Sequence, residues 1–296
     1  MEFDAFLQLS DEDISRLVAE KSADTALVFL DGSRRWFMLE NRRKLDSGWA
    51  REYIAQSSRR HVEIFGMFFR HGIRSLVSPM VYTGLLERGA HYDEVKYSVG
   101  GLATFPEFLE FYESFGVRVR FYGDFRRKLC GTPLEPLCDL FTDLETRTRQ
   151  NDRFRLFYGM QVSPPGESAN DIARLSVEHY QETGAIPSRK DLIRRYYGEP
   201  VNPLAFGVTF EVSALEYPLL GGSENLYYSV RPTMYLDEYQ LRSILYDHLF
   251  LRGRDPKDYR HVLEPDLEAL RAFYDTHNHT TLGVGRLVGK LWVPDI

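Results

Sequence analysis

Six short runs of apolar, β-branched and aromatic residues constrain this chain most. They are residues 26–30 (ALVFL), 75–80 (SLVSPM), 118–122 (RVRFY), 154–158 (FRLFY), 204–210 (LAFGVTF) and 226–230 (LYYSV). Most lack polar/apolar alternation. A strand with one wet face must alternate, because successive side chains point to opposite sides. Uninterrupted apolar runs fit strands covered on both faces, as in a parallel sheet between helices. Helical patterns fill the intervals. Trp49, Tyr53, Ile54, Ile64, Phe65 and Phe68 recur at helical spacing, and Gly72 stands where a C-terminal cap belongs. Residues 176–183 and 237–250 are helix-like too, and Ser10-x-x-Asp13 ahead of Ile14, Leu17 and Val18 has the form of a capping box. Strand then helix, repeated, predicts an α/β fold, a parallel sheet with right-handed crossovers. The turn stretches 163–166 (SPPG) and 221–225 (GGSEN) are too short for domain linkers. A single domain spanning 1–296 is expected.

Composition removes several function classes. Lys plus Arg total 37 against 43 Asp plus Glu, a formal charge of −6. Non-specific nucleic-acid binding needs the opposite excess to neutralise phosphates. The two cysteines, Cys130 and Cys138, form neither a disulfide framework nor a CxxC site. The acidic start MEFDAFLQLSDED lacks the layout of a signal peptide, and no apolar run approaches the ~18 residues of a membrane span. A soluble, cytoplasmic chain without stable membrane insertion is expected, so a greasy ligand would need a pocket. The aromatic content, 14% with 18 Tyr and 20 Phe, could supply one.

Open parallel sheets bind ligands beyond the carboxyl ends of their strands. The first apolar run ends in Asp31-Gly32-Ser33-Arg34-Arg35-Trp36-Phe37. A Gly–Ser turn opening a helix offers N–H groups to an anion, and arginines grip phosphate oxygens in forked geometry. Asp31 could hold Mg²⁺ bridging a diphosphate. The same residues equally suit a plain turn in which Asp31 caps a helix and pairs with Arg34.

DGSRRW after an apolar strand resembles the DGNGRW signature of cis-prenyltransferases, the undecaprenyl diphosphate synthase family. Phe69-Arg70-His71-Gly72-Ile73, residues 117–124 (VRVRFYGD) and the segments around 226–228 and 241–245 extend the likeness over roughly residues 25 to 250. The resemblance implies a cis-prenyltransferase-like fold, in which Gly32, Ser33, Arg34 and Arg35 bind the allylic diphosphate and Asp31 organises Mg²⁺. It also implies a homodimer. The family's RTxGExRxSNF stretch carries two arginines for a second diphosphate. Alignment puts Gly207 and Ser213 at those positions and only Glu211 matches. Pro79-Met80-Val81-Tyr82 replaces the family's asparagine and tryptophan after the second strand. A second diphosphate without cations would be poorly held. The chain reads as equipped for one substrate.

That pattern is similar to the diterpene synthases built on this fold, the tuberculosinol and kolavelool synthase type. The shared features include HGI and SP around the second strand, residues 85–89 (LLERG), Tyr196-Tyr197-Gly198-Glu199, residues 217–220 (YPLL) and Ile244-Leu245-Tyr246-Asp247-His248. Such a resemblance implies an enzyme that ionises a bicyclic diterpene diphosphate of tuberculosinyl or kolavenyl type, supplied by a separate class II diterpene cyclase. Diphosphate is released and water captures the allylic cation, giving a diterpene alcohol; some members alkylate a nucleoside instead. Tyr53 occupies the position of a catalytic tyrosine in that group. With Asp31 it would orient or deprotonate water, although a core tyrosine with a satisfied hydroxyl fits the same spacing. Trp36, Trp49, Phe65 and Tyr82 are candidates for an aromatic pocket shielding a cation. A prenyltransferase condensing isopentenyl diphosphate and a non-catalytic partner subunit are the rival readings.

Other signals are weaker. Gly283-x-Gly285-x-x-x-Gly289 is mis-spaced for a dinucleotide fingerprint. His277-Asn278-His279 reads as a polar loop, and Arg147, Arg149, Arg153 and Arg155 as a solvated basic surface. No GxSxG, HExxH or DDxxD motif occurs. The last absence argues against a class I terpene-synthase fold.

Overall fold

The computed structural model describes residues 1–42, 49–82, 92–162, 168–210, 217–222, 224–252 and 263–295. All six apolar runs are strands: β1 (Thr25–Val28), β2 (Ser75–Tyr82), β3 (Val117–Tyr122), β4 (Phe154–Val162), β5 (Phe206–Phe210) and β6 (Asn225–Ser229). They form one sheet in the order β3-β4-β2-β1-β5-β6, with every pairing parallel. Helices fill the intervals: α1 (Phe3–Leu7), α2 (Asp11–Glu20), α3 (Ser33–Asn41), α4 (Trp49–Arg70), α5 (Tyr92–Thr104), α6 (Pro106–Phe115), α7 (Phe125–Leu129) and α8 (Leu137–Thr148). Then come α9 (Ser168–Thr183), α10 (Arg189–Tyr197), α11 (Glu238–Tyr246) and α12 (Glu264–Thr276).

The missing alternation has a direct cause. Ala26, Val28, Leu76, Leu156 and Tyr158 face one buried cluster, with Phe65 and Phe68 of α4 and Leu241 and Leu245 of α11. Leu27, Val77 and Phe157, one residue out of phase, face a second cluster with Ile193, Tyr196 and Tyr197 of α10. Neither face is wet, so neither needs a polar residue. The edge strands behave differently. On β3, Arg118 and Arg120 are half-buried between buried Val117, Val119 and Phe121, and β6 has no fully buried residue. Most aromatics serve the first cluster, through stacks such as Phe69–Phe154 (4.5 Å) and Phe121–Phe141 (4.1 Å).

Helix boundaries follow local chemistry. Ser10 caps α2, accepting the Asp13 N–H at 3.1 Å. Gly72, at φ +93°, ends α4 where an added Cβ would meet the Ser15 Cα at 2.6 Å. The helical reading of residues 237–250 resolves into α11 and a π turn at Asp247–Leu251. Residues 163–166 and 85–89 lie outside the described residues. The glycine series near the C-terminus belongs to a two-stranded antiparallel hairpin, β7 (Gly285–Val288) and β8 (Leu291–Pro294), with no βαβ unit to hold a dinucleotide. No described helix is long and apolar enough to cross a membrane.

One buried cation ties the chain's ends together. Arg242 of α11 donates to Leu7 O (2.8 Å), Leu9 O (2.7 Å) and Asp11 Oδ1 (2.8 Å), pairs with Glu238 (2.7 Å), and donates Nε–H to His71 Nε2 (3.2 Å). That last bond, with His71 Nδ1 at 2.9 Å from Met67 O, fixes the neutral Nδ1–H tautomer. Arg242→Ala should cost about 3–5 kcal/mol in urea unfolding, because it orphans the Leu7 and Leu9 carbonyls and the buried His71 Nε2. Arg242→Lys should recover little of this, lacking the forked donors. Burial holds the His71 pKa below its ordinary 6.5, an effect larger than the opposing bond to Met67. The unfolded chain therefore binds this proton more readily, and stability from His71 should fall as pH drops below that value.

Candidate active site

The crossovers run from β1 toward β2, while β4 returns across β1 to β5, so the strand order reverses between β1 and β5. A crevice forms at such a reversal, beyond the carboxyl ends of the two strands. Asp31 leaves β1 and Phe210 ends β5 at this point. The Phe29 N–H still bonds Val208 O (2.9 Å) before the chain turns out of the sheet.

Asp31 does not cap α3, which corrects the plain-turn alternative. The N-cap is Gly32, with no side-chain cap. The Asp31 carboxylate instead turns toward β5. Its Oδ1 accepts the Phe210 N–H (2.8 Å) and lies 3.0 Å from the Thr233 hydroxyl, and Oδ2 lies 3.2 Å from the Thr209 hydroxyl. Burial nevertheless pushes its pKa up from 3.8 to about 6, outweighing the bonds from Phe210, Thr233 and Thr209. Such a carboxylate can take and release a proton near neutrality.

Gly32 is required here. Its φ is +70°, and a Cβ would meet Phe210 Cδ1 at 2.8 Å and Pro232 Cβ at 2.9 Å. The turn lets α3 start at once: the Trp36 N–H bonds Gly32 O (2.9 Å), leaving the Ser33 and Arg34 amides without intrahelical acceptors. Arg34 is exposed, and the Arg35 guanidinium lies 4.8 Å from the Phe210 ring centroid. An anion at this helix start would meet N–H dipoles and two arginines.

Tyr53 enters from the first turns of α4, its hydroxyl 2.7 Å from Ser33 Oγ. Burial raises its pKa above 10.0, against the Ser33 bond and the Arg34 charge, so the phenol stays protonated near neutrality. Trp49 lies 5.2 Å from the Tyr53 ring, and Phe37 stands edge-on to it at 5.6 Å. The structure thus brings Ser33, Trp49 and Tyr53 together. Trp36 is buried on α3. Phe65 is three turns farther along α4, fully buried beside Phe111 and Tyr158. Tyr82 ends β2, and its side chain is outside the described residues, as are Glu211 and Ser213. Gly207 lies within β5, paired with Leu27 and Leu226, and offers no cation. Sequence reasoning missed Phe37, Thr209, Phe210 and Thr233. Phe37 sits inside the DGSRRWF motif; the others carry no local signal.

Both Asp31 oxygens already face donors, Phe210 N–H and Thr233 at Oδ1 and Thr209 at Oδ2, yet a carboxylate has about four lone-pair sites and can still offer one to a metal. One carboxylate fits Mg²⁺ that takes its other ligands from substrate phosphates and water. The described residues also group Asp11, His71 and Glu238 within ligand distance, but Arg242 already places a cation among them.

No protein-family model matches the chain. It is 33% identical over 292 residues to tuberculosinyl adenosine transferase of Mycobacterium tuberculosis, covering 97% of this chain and 96% of that one. The chain belongs to that family. It is also 27% identical over 280 residues to (+)-kolavelool synthase of Herpetosiphon aurantiacus, covering 92% and 90%. The fold is that of the cis-prenyltransferases. Lavandulyl diphosphate synthase from Lavandula x intermedia, solved with dimethylallyl diphosphate, superposes with TM-score 0.62 at 13% identity, over 80% of this chain and 98% of that one. A probable undecaprenyl diphosphate synthase from Campylobacter jejuni gives 0.54 at 16%, over 79% and 98%. The relatives of the family are enzymes of terpenyl chemistry.

Burying a carboxylate above its unfolded pKa has a stability consequence. Between 3.8 and about 6 the folded chain binds the Asp31 proton more tightly than the unfolded one, so this contribution weakens as pH rises through 6. Asp31→Asn should therefore raise the melting temperature at pH ~8, with the gain shrinking by pH ~5. A variant less stable at both values would contradict the burial-strained carboxylate.

Proposed function

We propose that this enzyme ionises an allylic bicyclic diterpene diphosphate of tuberculosinyl or kolavenyl type, releases diphosphate, and adds water to give a diterpene alcohol. The observation that carries this reading is the joining of an anion site to an aromatic wall through the 2.7 Å Ser33–Tyr53 contact. Both relatives are named for diterpenyl products.

Ionisation separates a diphosphate anion from an allylic cation, and the protein must stabilise both charges as they develop. Arg34, Arg35 and the opening amides of α3 receive the negative end. Mg²⁺ on Asp31, when bound, would add charge neutralisation there. The ring of Trp49, packed beside Tyr53 and Phe37, would face the positive end without offering a nucleophile. Tyr53, held protonated, positions water, and Asp31 accepts the proton that water loses on bonding to carbon. Gly207 leaves one arginine position of a second diphosphate site without a cation. That disfavours isopentenyl condensation, and the retained Asp31, Arg34 and Arg35 disfavour a non-catalytic subunit. The name of the M. tuberculosis relative specifies adenosine as an acceptor, so adenosine is the competing nucleophile to test. A homodimer in the cytoplasm, fed by a class II cyclase, completes the reading.

Incubation with geranylgeranyl, tuberculosinyl and kolavenyl diphosphates, with and without adenosine or isopentenyl diphosphate, should yield a diterpene alcohol by mass spectrometry. Products formed only with isopentenyl diphosphate would overturn the proposal. Asp31→Ala should lower kcat by about 10²–10⁴ with the fold intact by circular dichroism. Tyr53→Phe should lower kcat more than it raises KM; a change in melting temperature alone would make Tyr53 a core residue. Arg35→Ala should chiefly raise KM.

A further inference from the structure

Two buried threonines stand against the carboxylate just described, and neither belongs to the DGSRRW motif. Thr209 and Thr233 are both 0% exposed. Thr209 is the penultimate residue of β5; Thr233 begins the 3-10 turn Thr233–Tyr235. Burying a hydroxyl is costly unless it is bonded, so each must be explained by its partner. The Thr209 hydroxyl has Asp31 Oδ2 at 3.2 Å and Phe210 O at 3.4 Å. The Thr233 hydroxyl has Phe29 O at 2.8 Å, Asp31 Oδ1 at 3.0 Å and Asp31 O at 3.1 Å.

From this geometry we infer that Thr233 and Thr209 are positioning residues that hold the Asp31 carboxylate in its working rotamer. The inference rests on the role of Asp31 proposed above. A carboxylate leaving a strand end can turn about two side-chain bonds. The Phe210 N–H fixes one oxygen and leaves rotation about that contact. Thr209, approaching the other oxygen from β5, removes it. The single Thr233 hydroxyl proton is shared among Phe29 O, Asp31 O and Asp31 Oδ1, so it relates the carboxylate to the chain that carries it. Thr233 is itself braced, because Arg60 of α4 donates to Met234 O (2.8 Å) and Leu236 O (2.7 Å) on either side of the turn's end. The helix that supplies Tyr53 thereby also supports the turn that aligns Asp31. A group held this way keeps its geometry when substrate arrives, which is where small displacements cost rate.

The test uses Thr233→Val and Thr209→Val, which keep the branched shape and delete the hydroxyl, with Thr233→Ser as the conservative rescue. Steady-state kinetics on the diterpenyl diphosphate turned over by the parent enzyme should show kcat reduced about ten- to a hundred-fold in each valine variant, with KM within about two-fold. Thr233→Ser should recover most of the loss. Melting temperatures identify any variant that fails to fold; Thr209→Val then carries the test alone. Valine variants with parental kcat, or a Ser variant as impaired as Val, would overturn the inference. If Asp31→Ala itself turns over normally, the proposed role of Asp31 fails instead, and the two failures are distinguishable.

Discussion

The hydrogen bond from the Phe210 amide to Asp31 joins the ends of the two strands between which the sheet reverses its order. Everything at the site is placed relative to it. With Asp31 turned toward β5, the chain must reverse sharply at Gly32, whose left-handed backbone no side chain could adopt against Phe210 and Pro232. That reversal starts α3 immediately, so Ser33, Arg34 and Arg35 open the helix two to four residues after the carboxylate. Ser33, the first helical residue, then comes within reach of Tyr53 on α4. A single strand-to-strand contact thereby fixes the anion site and its distance from the aromatic wall.

The inner strands β1, β2, β4 and β5 were legible because each is buried on both faces, and that condition writes itself into consecutive residues. The limits of legibility follow from the same physics. Edge strand β3 exposes alternate positions, and its RVRFY run alternates accordingly. Helical spacing reports which face of α4 a residue occupies but not how far along it lies. Tyr53 and Phe65 share one apolar pattern, yet twelve residues of helix separate them by about 18 Å. One reaches Ser33; the other fills the core against Tyr158.

The proposed anion loop reads as one contiguous motif, whereas the residues packed against Asp31 do not. Thr209 and Thr233 contact Asp31 across sequence separations of 178 and 202 residues. Threonine in a strand or turn is ordinary, and nothing beside either residue marks it. Their place beside Asp31 comes from topology, which delivers β5 and the turn after β6 to the carboxyl end of β1.

The charge balance of the site explains how an acidic protein can serve an anionic substrate. Net charge acts over long range and is screened within about 10 Å at ordinary salt. The proposed diphosphate capture would need only the few charges inside that distance, here two arginines and helix-start dipoles. Asp31 would oppose them if it were fully ionised. Its burial and elevated pKa reduce that opposition as pH falls toward 6, and its bonds to Phe210, Thr209 and Thr233 spread whatever charge remains. The aromatic wall completes the separation. Phe37 is fully buried and continuous with the core, so the rings beside Tyr53 are backed by packed side chains instead of water. In the proposed reaction a cation beside Trp49 would meet a π face and the departing anion would stay with the arginines. The places for the two charges would then lie on different helices, α4 and α3, joined at one hydroxyl contact.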